Sequence, residues 1–322
     1  MKAFVYEQYG SPDVLTLRDI PAPVPGQDDV LVRVHASSVN DYDWHLLTGH
    51  PFINRLNAPR RPRNSVLGCD VAGTVELVGS AVTDLRPGDE VIGDMSPHGF
   101  GAFAEFVSAP ASAFSPKPAS LTFEQSAALP QAGGLALTAL RRRLPLPEGA
   151  RVLINGAGGG VGTFAVQIAK SSGAHVTGVD SAHKAGIVRA VGADLVLDYA
   201  EQDFAASGLT YDVIVDMACH RSIRTYRRCL RPGGLCSLMG GSIPRVLFSM
   251  VAGPVTSVGR DRRVAVPLWK PGDRDDMAAL TRMVDEGAIT PTVDRVFPLV
   301  ELPEAFRHFG AQRHRGKVVI SI

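Results

Sequence analysis

One glycine-rich segment, NGAGGGVGTFAVQIAK, constrains the fold of this chain more than any other stretch. The apolar run RVLI precedes it, and an amphipathic stretch follows the glycines at once. A strand, a glycine turn and a helix in that order are typical of the first βαβ unit of a parallel sheet that binds a dinucleotide. The alternative is a glycine-rich turn with no ligand, but the flanking strand and helix favour the dinucleotide.

The glycine turn supplies the first candidate cofactor-binding residues. Its best register is Ala157, Gly159 and Gly162, where small residues let the main chain approach a pyrophosphate. Amides near Gly160 and Val161, at the start of the helix, are expected to bind that anion.

The pattern of the chain changes twice along its length. Residues 1–123 contain short, partly alternating apolar runs broken by Gly, Pro and Asp, which predict a small antiparallel barrel or sandwich. From about residue 124, apolar strands alternate with helices, which predicts a doubly wound parallel sheet. The tail returns to mixed helix and strand signals. With 322 residues, the chain is long enough for two domains.

Composition excludes several classes of partner. A net charge of +1 leaves no basic field for nucleic acid. No apolar run approaches the roughly 20 residues that span a bilayer, and the first residues lack the apolar core of a signal peptide. The four cysteines form no Cys-x-x-Cys pair, so we expect no disulfide framework and a cytoplasmic location.

The end of the second strand of this sheet bears on the choice of nicotinamide cofactor. Asp180 could accept hydrogen bonds from the ribose hydroxyls and would repel a 2′-phosphate, which favours NAD(H). Ser181, His183 and Lys184 follow, and a hydroxyl beside a cation suits a phosphate, which favours NADP(H). Lys184 could equally be an exposed residue at the start of a helix.

Three further residues follow strands that are expected to end at the cofactor edge of the sheet. Tyr199 could flank the adenine, or be a half-buried tyrosine at a strand end. Gly240 and Gly241 end a later strand, at the edge where open α/β sheets bind ligands.

Motifs along nearly the whole chain resemble the zinc-independent quinone oxidoreductase branch of the medium-chain dehydrogenase/reductase superfamily. The motifs are SVNDYDW (38–44), LGCDVAGTVELVG (67–79), RPGDEVIG (86–93), GAFAEFV (101–107), LTFEQSAALPQAGGLALTAL (121–140), NGAGGGVGTFAVQIAK (155–170), GADLVLDY (192–199) and RGKVVISI (315–322).

The resemblance implies an α/β fold in two domains. A GroES-like, mostly-β catalytic domain is expected over 1–123 and 267–322, and a Rossmann domain with a doubly wound parallel sheet over 124–266. It also implies a homodimer.

The segment LGCDVAG first suggests part of a metal site. In the zinc-dependent relatives the catalytic ion takes three side-chain ligands, whose positions fall here at Asn40, at Cys69 and near Gly133 and Gly134. A catalytic zinc needs three protein ligands and an open position. Only Cys69, with Asp70 as its acidic neighbour, remains, so we expect no zinc and a small buried cysteine.

The resemblance also assigns candidate catalytic residues. Asn40 is expected near the nicotinamide ribose and the substrate, although Asp41 replaces the proline that usually follows. His45 is the first candidate proton donor and Tyr42 a weaker one, the alternative being that His45 is a surface histidine.

Two more residues are expected at the cofactor. Thr138 is expected near the nicotinamide phosphate or carboxamide. Lys317 could reach the pyrophosphate, or be an exposed strand lysine.

The expected activity is NAD(P)H-dependent reduction of quinones or α,β-unsaturated carbonyl compounds by hydride transfer. Without a Lewis acid, such activated substrates need only hydrogen-bond donors and a proton. NADP(H) is narrowly favoured by the resemblance, and Asp180 keeps NAD(H) open. The alternatives are a pathway-specific enoyl or ketone reductase of secondary metabolism and a non-catalytic NADPH-binding protein, which the altered loop at 217–220 slightly favours.

Overall fold

A computed structural model of the chain describes residues 1–56, 58–241, 243–257 and 261–322. The chain forms two compact units, each assembled from separate segments. The first comprises Met1–Gly134, Lys270–Asp285 and Pro291–Ile322, and the second comprises Leu135–Trp269 and Glu286–Thr290.

Strands and helices are numbered in chain order. The strands are β1 (Lys2–Val5), β2 (Thr16–Asp19), β3 (Asp29–Val39), β4 (Asp70–Val78), β5 (Glu90–Asp94), β6 (Phe106–Pro110), β7 (Phe114–Pro116), β8 (Arg151–Asn155), β9 (His175–Asp180), β10 (Leu195–Asp198), β11 (Tyr211–Asp216), β12 (Leu230–Leu238), β13 (Arg263–Ala265), β14 (Val293–Pro298) and β15 (Lys317–Ser321). The helices are α1 (Asp41–Thr48), α2 (Phe123–Ala127), α3 (Pro130–Leu140), α4 (Gly160–Ser171), α5 (Ala185–Ala190), α6 (Ile223–Cys229), α7 (Ile243–Ser257), α8 (Arg274–Asp285) and α9 (Leu302–Gly310).

The first unit is built on a mixed sheet with the strand order β14-β15-β3-β4-β5-β7, to which β6 adds by pairing with β3. All of its pairings are antiparallel except that of β14 with β15. Strand β3 alternates in part, as the sequence predicts: Val32, Val34 and Ala36 are buried, whereas Arg33 and His35 between them are less buried. The first 123 residues are therefore mostly β, as predicted.

Helix α9 shows why the C-terminal segment packs onto this unit. Its apolar residues Leu302, Ala305, Phe306 and Phe309 recur at helical spacing and are buried. Phe306 meets Phe103 edge to face, with ring centroids 5.8 Å apart. These contacts join the C-terminal segment to the core that contains Phe4, Leu67 and Phe103.

The second unit is an all-parallel sheet with the strand order β10-β9-β8-β11-β12-β13. Val152, Leu153 and Ile154 of β8 are all fully buried, as expected for a strand covered on both faces. The predicted GroES-like and doubly wound parallel-sheet architecture is confirmed. Helix α4 ends at Ser171, and Gly173 follows with φ +75°, the left-handed conformation in which glycine often ends a helix.

Helix α7 is an element that the sequence patterns did not predict. Its run IPRVLFSMVAGPVTS contains Pro254 well inside the helix, and proline usually breaks helices. Across the described ranges, no helix is both long enough and apolar enough to span a bilayer.

Candidate functional site

The glycine turn between β8 and α4 is held by contacts within the second unit. Gly156 has φ +85°, and its amide donates to the Val179 carbonyl at 2.9 Å. A Cβ on Gly162 would lie 2.0 Å from the Gly156 carbonyl oxygen and 2.7 Å from the Cα atom of Ala157. Because those atoms are backbone, Gly162 is required by the internal packing of the turn.

Gly159 differs from Gly162, because the chain itself leaves room for a side chain there. It precedes α4 with φ −86°, and an added Cβ would have an ordinary 3.5 Å contact with the Gly156 oxygen. The next amides, of Gly160 and Val161, lie in the first turn of α4, where the helix supplies no acceptor. The turn thus has open space beside donor groups, which fits the pyrophosphate of a dinucleotide.

The Asp180 carboxylate is turned toward the glycine loop. Oδ2 accepts the Gly158 amide at 2.8 Å, while Oδ1 accepts the amide and hydroxyl of Ser181 at 2.8 and 3.2 Å. The Lys184 ammonium is 3.9 Å from Oδ1, and both Asp180 and Lys184 are only 7% exposed. Lys184 is therefore a buried partner of Asp180 and not the exposed helix residue of the alternative interpretation.

The other predicted cofactor residues occupy different environments. Tyr199 follows β10 and is 65% exposed, so the half-buried alternative is wrong. Thr138 is buried in α3. Gly240 and Gly241 lie directly against the loop after β11, since a Cβ on Gly241 would be 1.8 Å from the Ala218 carbonyl oxygen. Ser242, which follows them, lies outside the described residues.

Asp216, at the end of β11, organises this loop, a role that the sequence did not predict. Oδ1 accepts the Asn155 amide side chain and the backbone amides of Ala218 and Cys219, each at 2.8 Å. Oδ2 accepts the Tyr226 hydroxyl at 2.7 Å. An aspartate followed by a turn is a local signal for such bonds, but nothing local identifies Tyr226.

Asn40 lies in the first unit, where β3 gives way to α1. It is buried, and its Nδ2 donates to Asp70 Oδ2 at 2.9 Å. Lys317 donates to Asn40 Oδ1 and is only 3% exposed, which makes the exposed-lysine alternative wrong. The structure therefore brings Asn40 and Lys317 together with Asp70.

Asp43 joins the start of α1 to the LGCDVAG segment. Its Oδ2 accepts a hydrogen bond from the backbone amide of Asn40 at 3.0 Å. Its Oδ1 accepts from the backbone amide of Gly68 at 3.0 Å and from the Cys69 thiol at 3.3 Å. Burial raises the pKa of Asp43 to about 6 despite these donors. Burial, followed by the charge of Asp43, also raises the pKa of the Cys69 thiol well above its ordinary value. Cys69 is buried, as predicted.

Asp94, at the end of β5, is a third buried carboxyl in the same region, after Asp43 and Asp70. It pairs in register with Asp70, and its Oδ2 has no hydrogen-bond partner among the described residues. Burial and then the charge of Asp70 raise its pKa to about 7.

The two candidate proton donors both belong to α1. Tyr42 is 41% exposed and meets Phe100 edge to face at 5.3 Å. Burial raises its pKa, with smaller contributions from Cys69, Asp94 and Asp43. His45 is half-buried, and burial lowers its pKa. Near neutral pH, Tyr42 therefore keeps its proton and His45 is mainly neutral.

Within the parts of the chain that the structure describes, no three His, Cys, Asp or Glu side chains group as a metal site would require.

Two family models match separate parts of the chain. The model described as "Alcohol dehydrogenase GroES-like domain" matches residues 26–119, and the model described as "Zinc-binding dehydrogenase" matches residues 191–320.

Curated proteins and solved structures match almost the whole chain. The NADPH-dependent alkenal/one oxidoreductase of Arabidopsis thaliana chloroplasts is 32% identical over 99% of this chain and 79% of its own length. A chloroplast envelope quinone oxidoreductase homolog from the same plant is 31% identical over 99% of this chain and 98% of its own. The structure of the quinone oxidoreductase from Coxiella burnetii superposes with a TM-score of 0.88 at 30% identity, covering 100% of this chain and 99% of that one.

Proposed function

Because this chain belongs to the quinone oxidoreductase branch of the medium-chain dehydrogenase/reductase superfamily, we propose that it reduces quinones or α,β-unsaturated carbonyl compounds with NAD(P)H. Bound NAD(P)H supplies the hydride. The chain supplies the glycine turn that binds the dinucleotide and the side chain that delivers a proton.

The observation that carries this proposal is the glycine turn. Gly162 is accounted for by contacts inside the chain, whereas Gly159 is not. Space left beside the first amides of α4 is what close approach of a pyrophosphate requires. The Gly160 and Val161 amides then hold the anion at the carboxyl edge of β8.

Proton delivery is assigned to α1. A donor must hold its proton at the working pH, and the raised pKa of Tyr42 meets that requirement better than the lowered pKa of His45. Tyr42 is also the more exposed of the two. The proposed donor is therefore Tyr42, with His45 second, which reverses the order expected from the sequence.

The proposed reaction uses no zinc. The ligand positions of the zinc-dependent relatives hold Asn40, Gly133 and Gly134, and none of these offers a thiolate or an imidazole. Cys69 could supply one sulfur, but its thiol donates to Asp43 and its raised pKa keeps it protonated.

The function is tested by titrating the protein with NADPH and NADH, followed by turnover with a panel of quinones and enones. We expect nucleotide binding, and nucleotide oxidation that depends on the added acceptor. Failure to bind either nucleotide would contradict the proposal. Binding without turnover of any acceptor would favour the pathway-specific or non-catalytic alternative. If the protein contains about one zinc per chain, and chelation removes the zinc and the activity together, the zinc-free reaction is overturned.

NADP(H) is the proposed cofactor, and the engagement of Asp180 supports it. A carboxylate that already accepts two backbone amides and faces Lys184 has little capacity left for ribose hydroxyls. Its charge is also compensated by Lys184, so a nearby 2′-phosphate meets less repulsion. The Ser181 hydroxyl and His183, 3.0 Å apart, are the proposed phosphate ligands.

Substitution of Asp180 tests this assignment. We expect Asp180→Ala to weaken the binding of NADPH and of NADH by similar factors of about 10, because the Gly158 amide loses its acceptor and the glycine turn loosens. Dissociation constants for both nucleotides provide the measurement. A selective gain of NADPH affinity would show instead that Asp180 repels the 2′-phosphate.

A matched control exists at the amino-terminal ends of the strands of the same sheet, away from the glycine turn. Asp212 also accepts a backbone amide, from Arg151 at 2.9 Å, and pairs with Arg231 at 3.1 Å. Asp212→Ala should leave both nucleotide affinities unchanged. Ser181→Ala should weaken the binding of NADPH by about 3- to 10-fold, with a smaller effect on the binding of NADH.

A homodimer and a cytoplasmic location complete the proposal. Light scattering of the purified protein tests the first, with a single-chain mass as the contradicting result. Imaging of the tagged protein in its own cells tests the second.

A further inference from the structure

The strand order of the second unit reverses between β8 and β11. Strands β9 and β10 continue from β8 in one direction, and β12 and β13 continue from β11 in the other. Asn155, the last residue of β8, pairs in register with Asp216, the last residue of β11. In open parallel sheets, ligands bind in the crevice outside the carboxyl ends of the strands at such a reversal. A dinucleotide held by the glycine turn therefore extends past the loop that follows Asp216.

The loop at 217–220 borders this crevice. Met217 lies beside the start of the glycine turn, since a Cβ on Gly156 would be 3.1 Å from the Met217 Cβ. On the other side of the loop, a Cβ on Gly241 would overlap the Ala218 carbonyl oxygen. Because the loop fills the space between these two glycines, its conformation decides the surface that the crevice presents to a ligand.

Cys219 gives this loop a conformation that side chains disfavour. Its φ is +39°, in the left-handed region that favours glycine, and its side chain is fully buried. Such a conformation persists only where the surrounding structure over-determines it, and it clusters at ligand-binding positions. The Asp216 carboxylate supplies the restraint, because its Oδ1 accepts the amides of both Ala218 and Cys219 at 2.8 Å.

Tyr226, in α6, fixes the Asp216 carboxylate from its other oxygen. Tyr226 is fully buried, and its hydroxyl donates to Asp216 Oδ2 at 2.7 Å while accepting the Arg221 amide at 3.3 Å. Burial, followed by the charge of Asp216, raises the pKa of Tyr226, so the hydroxyl keeps its proton and donates. With Oδ2 held by Tyr226, Oδ1 is directed to the loop amides and to the Asn155 side chain.

We propose that Tyr226 and Asp216 are positioning residues that hold the loop in its left-handed conformation, so that the crevice is shaped for the dinucleotide before it binds. This inference rests on the proposed function. Tyr226 acts through Asp216 and, being fully buried, does not contact the nucleotide. The cysteine at 219 makes the support necessary, since a glycine would adopt the same φ without it.

A double-mutant cycle with Cys219→Gly tests this role. Wild type, Tyr226→Phe, Cys219→Gly and the double variant are compared by the Kd for NADPH, measured well below their melting temperatures. We expect Tyr226→Phe to raise the Kd by about 3- to 10-fold, because the Asp216 carboxylate loses a hydrogen bond that orients it. In the Cys219→Gly background, the same substitution should raise the Kd by less than about 2-fold, because glycine adopts the left-handed conformation unaided.

Tyr211 provides a matched control on the same strand. It is the first residue of β11, at the opposite end from Asp216, and it is 2% exposed. Tyr211→Phe also removes a buried hydroxyl but leaves the bonds of Asp216 intact. Its effect should be confined to the melting temperature, with a Kd for NADPH equal to that of wild type.

The outcomes separate the two levels of the proposal. If wild type binds neither NADPH nor NADH, the proposed function fails. If wild type binds NADPH but Tyr226→Phe binds it equally well, or raises the Kd by the same factor in both backgrounds, the positioning inference is overturned. If Tyr226→Phe does not fold, Asp216→Asn replaces it with the same expectation, since an amide of the same size accepts hydrogen bonds on only one of its two sides.

Discussion

Replacing Gly162 by alanine is expected to weaken NADPH binding by about 100-fold or more, because the glycine turn must move to admit a Cβ. The atoms in the way are the Gly156 carbonyl oxygen at 2.0 Å and the Ala157 Cα at 2.7 Å, and neither can rotate aside. The overpacked turn should also cost about 1–3 kcal/mol of stability. Nucleotide titration and thermal unfolding measure the two effects.

Two other glycines separate the causes of that loss. Gly159→Ala fits the chain, so it should weaken NADPH while leaving the melting temperature of the nucleotide-free protein unchanged. Gly186, in α5, has no atom within 4 Å of an added Cβ, and Gly186→Ala should change neither affinity nor, beyond a slight gain, stability. Unaltered NADPH affinity in Gly162→Ala would contradict the packing argument.

The second large effect is expected at Asp94, whose replacement by asparagine should stabilise the protein increasingly as pH rises. Its folded pKa of about 7 lies above the ordinary value of 3.8, so the folded state binds its proton more tightly than the unfolded state. That contribution to stability is complete below about pH 4 and is lost as pH rises through about 7. Asp94→Asn removes the loss, and the gain at about pH 8 is of order 2–4 kcal/mol.

The readout is the difference in melting temperature between Asp94→Asn and wild type at about pH 5 and about pH 8. The difference is needed because His35, His45 and His98 have lowered pKa values and make stability rise with pH in the acid range. Asp84, an exposed partner of Arg274 at 3.1 Å, supplies the control, since Asp84→Asn should show no growing difference. An Asp94→Asn difference that is constant with pH would contradict the raised pKa.

The parts of this protein that its sequence predicts are those with local signals. The order of β8, the glycine turn and α4 follows from apolar periodicity and glycine spacing within a single stretch. The strands of the parallel sheet were recognisable for the same reason, as runs of buried residues. Asp180 was identified by its position after β9, although its contact with Gly158 depends on how that strand end meets the turn.

The parts that were not predicted depend on pairings between distant segments. Lys317 and Asp70 come together because their strands, β15 and β4, both pair with β3, one on each side. No local sequence pattern encodes that arrangement. The bond between Tyr226 and Asp216 joins a helix to a strand end in the same way. Asp43 and Asp94 have raised pKa values because of burial, which the sequence around either aspartate does not reveal.

The network around Asp70 also has a consequence for the timing of folding. Asp70 and Lys317 are separated by 247 positions in the sequence. During synthesis the charge of the Asp70 carboxylate is therefore not compensated until β15 has been made. Segments made first fold first, but this one cannot close over Asp70 without a large electrostatic penalty. Nascent chains that stop short of Lys317 should therefore keep β3 and β4 accessible to proteases, and release of the last strand should be the step that closes the first unit.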